Sequence, residues 1–268
     1  MPEGDVVLRT ARRLTQALAD GPLVRAELRW PSVAGADLLG RRVLETVSYG
    51  KHLLTRLDDG RTLHTHLRME GTWQVRRTQQ PPDPWHRHTV RVVLATSAWT
   101  CVGISLGMVD LVATGHEASV IGHLGPDLMA DDVDVVTAAA NLRAQGERAI
   151  GEVLLDQRVA AGIGTVYVAE TLWLHRLHPW LPAREVPEPE ALMATAARIM
   201  RRSADARMMS ATGDPRPGRE TNAYGRVNRD CRRCGAPIRE GRLGTPPTDR
   251  VTYWCPTCQP GRPEGPTP

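Results

Sequence analysis

The chain has 268 residues, enough for two domains, and 41% of them are hydrophobic, without an apolar run of membrane-spanning length. No signal-peptide pattern opens the chain, so we expect a cytoplasmic monomer without a membrane partner, whose cysteines pair through a metal. The formal net charge of +4 is uneven: residues 1–100 and 201–268 are basic and residues 101–200 acidic. Such basic segments suit a polyanion, most simply nucleic acid, although chance clustering on a solvated surface would look the same.

The chain begins with a predicted amphipathic helix over residues 5–20, because Val7, Ala11, Leu14 and Leu18 recur at spacings of three and four. After it the pattern changes to short β-like runs separated by glycine, proline and aspartate turns. The predicted strands cover 23–30, 42–47, 52–57, 62–67, 72–75, 89–95 and 109–112, with a loop over 78–88. Several short strands in series predict a β-sandwich or a barrel.

The second half of the chain is predicted to be mainly helical. The predicted helices cover 131–145, 147–160, 165–177 and 188–206, followed by a linker over 211–222. The fold class is therefore α+β and multidomain. The predicted parts are an N-terminal helix with a β-sandwich over 1–114, a helical domain over 115–222, a four-cysteine hairpin over 223–260 and a disordered Pro/Gly tail over 261–268.

The cysteines give the strongest local pattern. Cys231, Cys234, Cys255 and Cys258 form two C-x2-C pairs separated by twenty residues, the spacing of a tetrahedral four-cysteine zinc site. A redox dithiol explains two such pairs poorly. Because the protein occupies all four positions, we expect one structural Zn²⁺. Cys101 lies in a strand-like run and is expected in the core.

Two features could contact phosphate. Residues 154–170 are predicted to form a helix, a turn through Gly162 and Gly164, and a second helix from Thr165, whose first N–H groups could receive a phosphate. Between the cysteine pairs, Arg250 begins an alternating run typical of a hairpin strand, from which it could hold another phosphate. An ordinary helical hairpin and an exposed arginine on a ribbon are the alternatives.

Lysine usage singles out one residue. Of the 34 basic residues, 33 are arginine, and Lys51 alone is lysine. Lysine can lose and regain its proton, whereas arginine effectively cannot. Lys51 is therefore a candidate for proton transfer, with chance survival of one lysine as the alternative.

The first residues suggest a nucleophile. Met1 is expected to be removed because the next residue is small, which leaves Pro2 with a secondary amine at the terminus. An α-amine titrates near ~8, and a secondary amine that attacks an aldehyde carbon yields an iminium, a strong electron sink. Glu3 is close enough to move protons around that carbon. Many chains begin in this way, so this stretch alone decides nothing.

Four stretches in this order carry a resemblance: Met1 to Gly4, Ser48 to Leu54, Leu155 to Glu170, and the four-cysteine segment with Arg250. Together they resemble the formamidopyrimidine-DNA glycosylase and endonuclease VIII family over nearly the whole chain. The opening Pro-Glu-Gly-Asp and residues 122–128 are most similar to the actinobacterial second endonuclease VIII branch.

The resemblance implies a bifunctional DNA glycosylase and AP lyase of base excision repair. Its partner would be damaged DNA, as duplex, bubble or single strand, held in a basic cleft between the domains. It would need no dissociable organic cofactor and would work at the nucleoid. The roles implied by the family are Pro2 as the nucleophile at sugar C1′, Glu3 for the sugar and base protons, Lys51 for a phosphate and β-elimination, and Arg250 for a flanking phosphate and δ-elimination.

The resemblance also assigns DNA contacts. The DNA clamp would be formed by the zinc finger together with the turn at Gly162, Gly164 and Thr165. This turn belongs to the helical domain, which corresponds to the helix-two-turn-helix of the family. Met69 lies in a stretch similar to the loop whose methionine fills the gap left by an extruded nucleotide. A plain core position is the alternative for Met69.

Several departures bear on the substrate. A second glutamate that the family usually carries is replaced by the stretch 5–7, and the asparagine that usually ends the glycine turn is Thr165. Neither a lysine at 150–152 nor an Arg-x-Phe loop between 96 and 112 is present, although guanine-type members carry both, which favours oxidised pyrimidines. The alternatives are an AP lyase with weak base excision and a non-catalytic damaged-DNA-binding protein on the same scaffold.

Overall fold

The structure, a computed structural model, describes residues 2–79, 88–214 and 216–261. Most of the predicted loop over 78–88 and nearly all of the predicted tail over 261–268 lie outside the described residues. The chain divides into two compact units, Met1–His123 and Leu124–Pro268. Among the described residues, no helix combines the length and the apolar character that a membrane crossing requires.

The first unit combines one long helix with two four-stranded antiparallel sheets. The elements are α1 (Gly4–Leu18), β1 (Arg25–Leu28), β2 (Val43–Tyr49), β3 (His52–Leu57), β4 (Arg61–His66), β5 (Thr72–Arg77), β6 (Val90–Ala95), β7 (Trp99–Ile104), β8 (Met108–Ala113) and the short α2 (Ala118–Ile121). One sheet has the strand order β1-β6-β7-β5, and the other has the order β2-β3-β4-β8.

The hydrophobic core of this unit draws on α1 and on both sheets. Val7 and Leu14 of α1, Leu94 of one sheet and Leu53 and Leu63 of the other are at most 1% exposed and belong to one cluster. Side chains alternate along a strand, so one face of each sheet enters this core. The predicted β-sandwich is confirmed, and the barrel alternative is wrong because the strands form two separate sheets.

The predicted strands match the observed ones within a few residues, but the strand Trp99–Ile104 was missed. The first unit also extends past its last strand. Glu117 accepts hydrogen bonds from Arg56 of β3 at 2.8 Å and from Thr62 of β4 at 2.8 Å, which holds residues 114–123 against the sheet.

In its described residues, the second unit contains four α-helices and a two-stranded antiparallel hairpin. They are α3 (Val135–Arg143), α4 (Ile150–Leu155), α5 (Thr165–His175), α6 (Pro189–Asp205), β9 (Arg239–Leu243) and β10 (Arg250–Trp254). The helix predicted over 147–160 is shorter than expected. At Asp156 the backbone becomes extended, and the carboxylate accepts from the backbone N–H of Arg158 at 3.1 Å, which ends the helix.

Candidate functional site

The amino terminus is held at the start of α1. Glu3 is the N-cap residue in extended conformation, and its carbonyl accepts from the N–H groups of Val6 at 3.0 Å and Val7 at 3.1 Å. The Glu3 side chain is 3% exposed, and Pro2 before it is half-buried. Pro2 is therefore positioned by a rigid helix, at the end where the helix dipole is positive.

Lys51 lies in the tight turn between β2 and β3. Gly50 before it has φ +56°, a left-handed conformation that favours glycine, and His52 after it begins β3. Behind Lys51, the Nδ1 of His52 lies 2.8 Å from the Nε2 of His64, and the Nδ1 of His64 lies 3.0 Å from a carboxylate oxygen of Asp110. The turn thus presents the only lysine of the sequence next to a series of hydrogen-bonded, titratable side chains.

Met69 lies in an exposed turn after β4. Its side chain is 62% exposed, so the alternative that it is a core residue is wrong. The N–H of Gly71 donates to the carbonyl of Leu67 at 2.8 Å, and any Cβ at position 71 would overlap that carbonyl. The turn therefore requires glycine at 71 and keeps an apolar side chain in solvent, the arrangement needed for inserting it into a base stack.

The glycine turn between α4 and α5 has the expected shape. Gly162 has φ +105°, which side chains rarely adopt, and Gly164 is the N-cap of α5. Thr165 is the first helical residue and is 6% exposed. The turn thus leads directly into a helix N-terminus, where backbone N–H groups and the helix dipole favour an anion.

The four predicted zinc ligands come together in the second unit. The sulfur atoms of Cys231, Cys234, Cys255 and Cys258 all lie within 4.8 Å of one another. The Sγ distances are 4.0 Å between Cys231 and Cys258 and 3.4 Å between Cys234 and Cys255. A tetrahedral Zn²⁺ with Zn–S bonds of ~2.3 Å would place its sulfurs about 3.8 Å apart, so the cluster fits this metal.

Arg250 starts strand β10, at the end of the strand opposite to Cys255, and is exposed. Its Nη1 donates to the carbonyls of Thr248 at 2.8 Å and Asp249 at 2.9 Å, which orients the guanidinium relative to the hairpin. A guanidinium held in this way keeps donors for an oxyanion.

Two profiles of protein families match the chain. The Formamidopyrimidine-DNA glycosylase N-terminal domain matches residues 1–110, and the Formamidopyrimidine-DNA glycosylase H2TH domain matches residues 124–212. The chain belongs to the formamidopyrimidine-DNA glycosylase family. Pro2, Glu3, Lys51 and Met69 thus lie in the part that matches the N-terminal domain, and the glycine turn lies in the part that matches the H2TH domain.

Similar proteins that carry names indicate to which branch of the family the chain is related. "Probable endonuclease 8 2" of Streptomyces coelicolor is 45% identical over 100% of this chain and 98% of its own length. "Endonuclease 8 2" of Mycobacterium tuberculosis is 40% identical over 97% and 100%, and "DNA-(apurinic or apyrimidinic site) lyase Nei2" of Mycolicibacterium smegmatis is 39% identical over 97% and 99%. The predicted resemblance to the second endonuclease VIII branch of the family is confirmed.

Solved structures show the same fold. Lactococcus lactis Fpg, crystallised with DNA that contains N7-benzyl-Fapy-dG, aligns with a TM-score of 0.81 at 22% identity and covers 97% of this chain and 100% of that one. The same protein bound to abasic-site DNA also aligns with a TM-score of 0.81, at 23% identity. The family fold with its helix, sandwich, helical domain and cysteine hairpin is therefore present.

The remaining cysteine is a core residue, as predicted. Cys101 on β7 is completely buried in the core of the sandwich, and burial raises the pKa of its thiol to about 12. This thiol is therefore neutral and unreactive at neutral pH.

Sequence reasoning missed three supporting residues. Gln157 binds the glycine turn, because its amide donates to the carbonyl of Ile163 at 3.0 Å and accepts from Gly162 N–H at 3.0 Å. Glu170 is a carboxylate within an otherwise mainly apolar helix, a pattern that could have signalled a buried acceptor. Asp110, on β8, joins the histidines near Lys51; it stands 46 residues from His64, and no local pattern marks it.

Proposed function

We propose that this member of the formamidopyrimidine-DNA glycosylase family is a bifunctional DNA glycosylase and AP lyase of base excision repair whose nucleophile is Pro2. The observation that carries the proposal is the position of Pro2 directly before the N-cap of α1, next to the buried carboxyl group of Glu3.

The proposed reaction uses only groups of the chain and the DNA. The Pro2 nitrogen attacks C1′ of the damaged nucleotide, the C1′–base bond breaks, and Glu3 handles the protons of the sugar and the departing base. The C1′–O4′ bond of the sugar then breaks, O4′ takes up a proton from Glu3, and the resulting iminium acidifies the C2′ proton. Removal of that proton by Lys51 expels the 3′ phosphate, and a second, δ, elimination assisted by Arg250 expels the 5′ phosphate. Water then releases Pro2.

Damaged DNA is the proposed partner, and both units supply candidate contacts. Lys51 and the exposed Arg250 would each hold a phosphate, and the N-terminus of α5 at Thr165 would hold a third. Met69, exposed on its turn, would fill the gap left by the extruded nucleotide. The nucleotide that is attacked at C1′ must leave the base stack. An apolar side chain in the gap that it leaves would stabilise the remaining stack.

One Zn²⁺ would be held by Cys231, Cys234, Cys255 and Cys258, whose sulfur spacing fits a tetrahedral site. The metal would be structural, since four thiolates leave no position for water. Its contribution would be to fix the β9–β10 hairpin on which Arg250 lies. No dissociable organic cofactor enters this reaction, because the sugar itself supplies the electrophilic carbon.

We propose oxidised pyrimidines as the damaged bases, because the lysine and the Arg-x-Phe loop of guanine-type relatives have no counterpart at 150–152 and 96–112. A second candidate is an AP lyase with weak base excision. It is favoured by the name of the Mycolicibacterium smegmatis relative, a DNA-(apurinic or apyrimidinic site) lyase. A non-catalytic DNA-binding protein is disfavoured, because it would have no need for Pro2, Glu3 and the single lysine. The proposed location is the cytoplasm, at the nucleoid.

The decisive experiment is borohydride trapping on DNA with an abasic site. The wild-type protein should form a covalent adduct, and Pro2→Gly should lose at least about nine-tenths of it, because reduction captures the iminium. Mass spectrometry of the wild-type protein should show that Met1 is absent. A retained Met1, or trapping of Pro2→Gly at the wild-type level, would remove Pro2 from the mechanism.

A second measurement separates the role of Lys51 from that of Pro2. Lys51→Arg keeps the positive charge but cannot exchange its proton at neutral pH. It should bind abasic-site DNA nearly as well as wild type and still trap, yet cleave the strand about 10²-fold more slowly, the size of a lost acid–base contribution. Equal single-turnover cleavage rates would show that Lys51 acts only as a charge.

The same assays distinguish the two candidate functions, the bifunctional glycosylase and the AP lyase with weak base excision. On duplexes with a single oxidised pyrimidine, the glycosylase should release the base in a single turnover at a rate comparable with strand cleavage at an abasic site. An AP lyase with weak base excision would cleave the abasic duplex and leave the oxidised base in place.

A further inference from the structure

The polar face of the β2-β3-β4-β8 sheet carries an unusual set of side chains next to Lys51. Antiparallel pairing places His52 of β3 opposite His66 of β4, and His64 of β4 opposite Asp110 of β8. Because side chains alternate, these residues share one face, whereas Leu53 and Leu63 point into the core. The sheet thus builds a polar row directly behind the turn that holds the lysine.

This row is sequestered from solvent at one end and open at the other. The side chain of His64 is 0% exposed, His52 is 8% exposed, and the Asp110 side chain is 37% exposed. The ring of His123 lies 6.3 Å from that of His52, between centroids, on the segment that follows α2. A proton passed along the row would therefore leave the protein at Asp110 and not midway.

The hydrogen bonds of the row assign each ring nitrogen. A carboxylate only accepts, so the Nδ1 of His64 donates to Asp110 at 3.0 Å. A neutral His64 must then accept at Nε2, which makes the Nδ1 of His52, 2.8 Å away, the donor. A neutral His52 in turn carries its lone pair at Nε2. Asp110 therefore determines, through two rings, that His52 ends the chain as a base.

The surroundings keep both rings neutral. Burial, together with the nearby His66, His64, His123 and Lys51, lowers the pKa of His52 to about 3. Burial also lowers the pKa of His64, against the opposing effect of its hydrogen bond to Asp110. At neutral pH the row adds no positive charge beside Lys51.

Lysine chemistry gives this row a task. A lysine side chain ordinarily titrates near ~10.4 and holds its proton at neutral pH. To take a proton from C2′ of the sugar, Lys51 must first lose one. Lys51 directly precedes His52 in the turn before β3, and its positive charge is among the causes that lower the pKa values of His52 and His66.

We propose that His52, His64 and Asp110 form a relay that accepts the proton of Lys51 during strand cleavage. The Nζ–H bond of Lys51 breaks as a proton binds Nε2 of His52; the Nδ1 proton of His52 moves to Nε2 of His64, and the Nδ1 proton of His64 moves to Asp110, which returns it to water. His64 and Asp110 are positioning residues, because they act through His52. The inference rests on the proposed role of Lys51 in the lyase step.

The first test is spectroscopic and uses the wild-type protein. Nitrogen-15 NMR of the histidine-labelled protein at pH 7 distinguishes the two neutral tautomers of each ring. The relay requires the proton on Nδ1 in both His52 and His64. A proton on Nε2 of either ring would overturn the proposed order of donors and acceptors, whatever the enzyme does to DNA.

The second test is kinetic and uses Asp110→Asn, which keeps the size of the side chain but cannot take up a proton. Single-turnover cleavage of abasic-site DNA should slow by about tenfold or more, the lower range of acid–base effects. Borohydride trapping, which reports on Pro2 alone, should stay within about twofold of wild type. The deficit should shrink between pH 6.5 and 8.5, because solvent can then remove the proton of Lys51.

A matched control lies on β4, on the same face as His64. Thr62→Val removes the hydrogen bond from Thr62 to Glu117 without touching the relay, so it should lower stability and leave the cleavage rate within about twofold. Should Asp110→Asn fold poorly, His64→Phe, which keeps a ring stacked on His52 but transfers no proton, gives the same comparison.

A double variant completes the test. Asp110→Asn added to Lys51→Arg should slow cleavage no further, because the relay acts only through the lysine. Multiplied losses in the double variant, or a deficit that does not change with pH, would reduce the row to a structural role. If wild type neither traps nor cleaves, the proposed function itself fails, a result distinct from equal rates in wild type and Asp110→Asn.

Discussion

Glu170 offers the sharpest test of how the second unit is held together. This residue of α5 is 1% exposed, and its carboxylate accepts from the backbone N–H groups of Asn222, Ala223 and Tyr224 at 2.8–3.0 Å, and from the Asn222 amide at 3.0 Å. The segment 222–224 leads into the cysteine hairpin. Glu170→Ala removes the acceptor from all four donors at once.

The expected loss follows from the exposure of each donor. The N–H of Ala223 is buried and would lose about 1–3 kcal/mol if it found no new acceptor. Asn222 and Tyr224 are half-buried, so water can replace part of their loss, and we assign each about 0.5–1 kcal/mol. These losses are added, and the free energy recovered because a carboxylate is no longer buried is subtracted. The net loss of folding stability is about 3 kcal/mol. At 2–4 °C per kcal/mol, the melting temperature should fall by roughly 6–12 °C.

Scanning calorimetry measures this shift, and zinc release to a chromogenic chelator should accelerate in parallel, because the segment 222–224 anchors the hairpin. Glu190→Ala is the matched control: it removes a glutamate of the same unit whose side chain forms an exposed ion pair with Arg143 at 3.2 Å. That pair should contribute less than about 1 kcal/mol. If Glu170→Ala melts within about 2 °C of wild type, other contacts hold the segment and the reasoning fails.

Four further outcomes are expected. Met69→Ala should leave the melting temperature within about 1 °C of wild type, because the side chain is 62% exposed, but weaken binding of abasic-site duplex about tenfold; equal affinity would contradict its role as a wedge. Gln157→Leu removes the hydrogen bonds that hold the glycine turn and should weaken DNA binding in a filter assay, with its helical circular dichroism unchanged. Cys255→Ser should lower the zinc content, measured by atomic absorption, from about one per chain toward zero and lose DNA binding with it. The pKa values of His52 and His66 are lowered from 6.5 to about 3 and about 4, so the unfolded chain binds more protons below pH 6.5; the urea midpoint should therefore fall as pH decreases from about 6.5 to 4 and stay flat if the histidines are not buried.

Features that depend on neighbouring residues were readable in the sequence. The strand predicted over 52–57 coincides with β3, because the Asp-Asp-Gly turn at 58–60 ends it locally. The four cysteines are predicted by spacing alone, since each C-x2-C pair brings its own two sulfurs together. Membership of the family was predicted from short motifs and confirmed by the matches to residues 1–110 and 124–212.

Features that depend on pairing between distant strands were not readable. The strand Trp99–Ile104 is buried along most of its length, so it shows no alternation to distinguish it from a loop. The contact between His64 and Asp110 exists only because β4 pairs with β8 in one register, and a shift by one residue would turn the two side chains to opposite faces. The predicted length of helix α4 was too great, because the helix is ended by the side chain of Asp156 and not by a glycine or a proline.

The amide of Gln157 has a consequence for affinity. By binding the carbonyls of Leu155 and Ile163 and the N–H of Gly162, it orders the loop before any ligand arrives. Ordering a backbone residue costs roughly 1–2 kcal/mol of conformational entropy. If this glycine-containing loop were disordered in the free protein, each binding event would have to order several of its residues, which would weaken the affinity. In this protein the loop is preorganised during folding, so the contacts of the phosphate proposed at this helix terminus would appear in full as binding affinity.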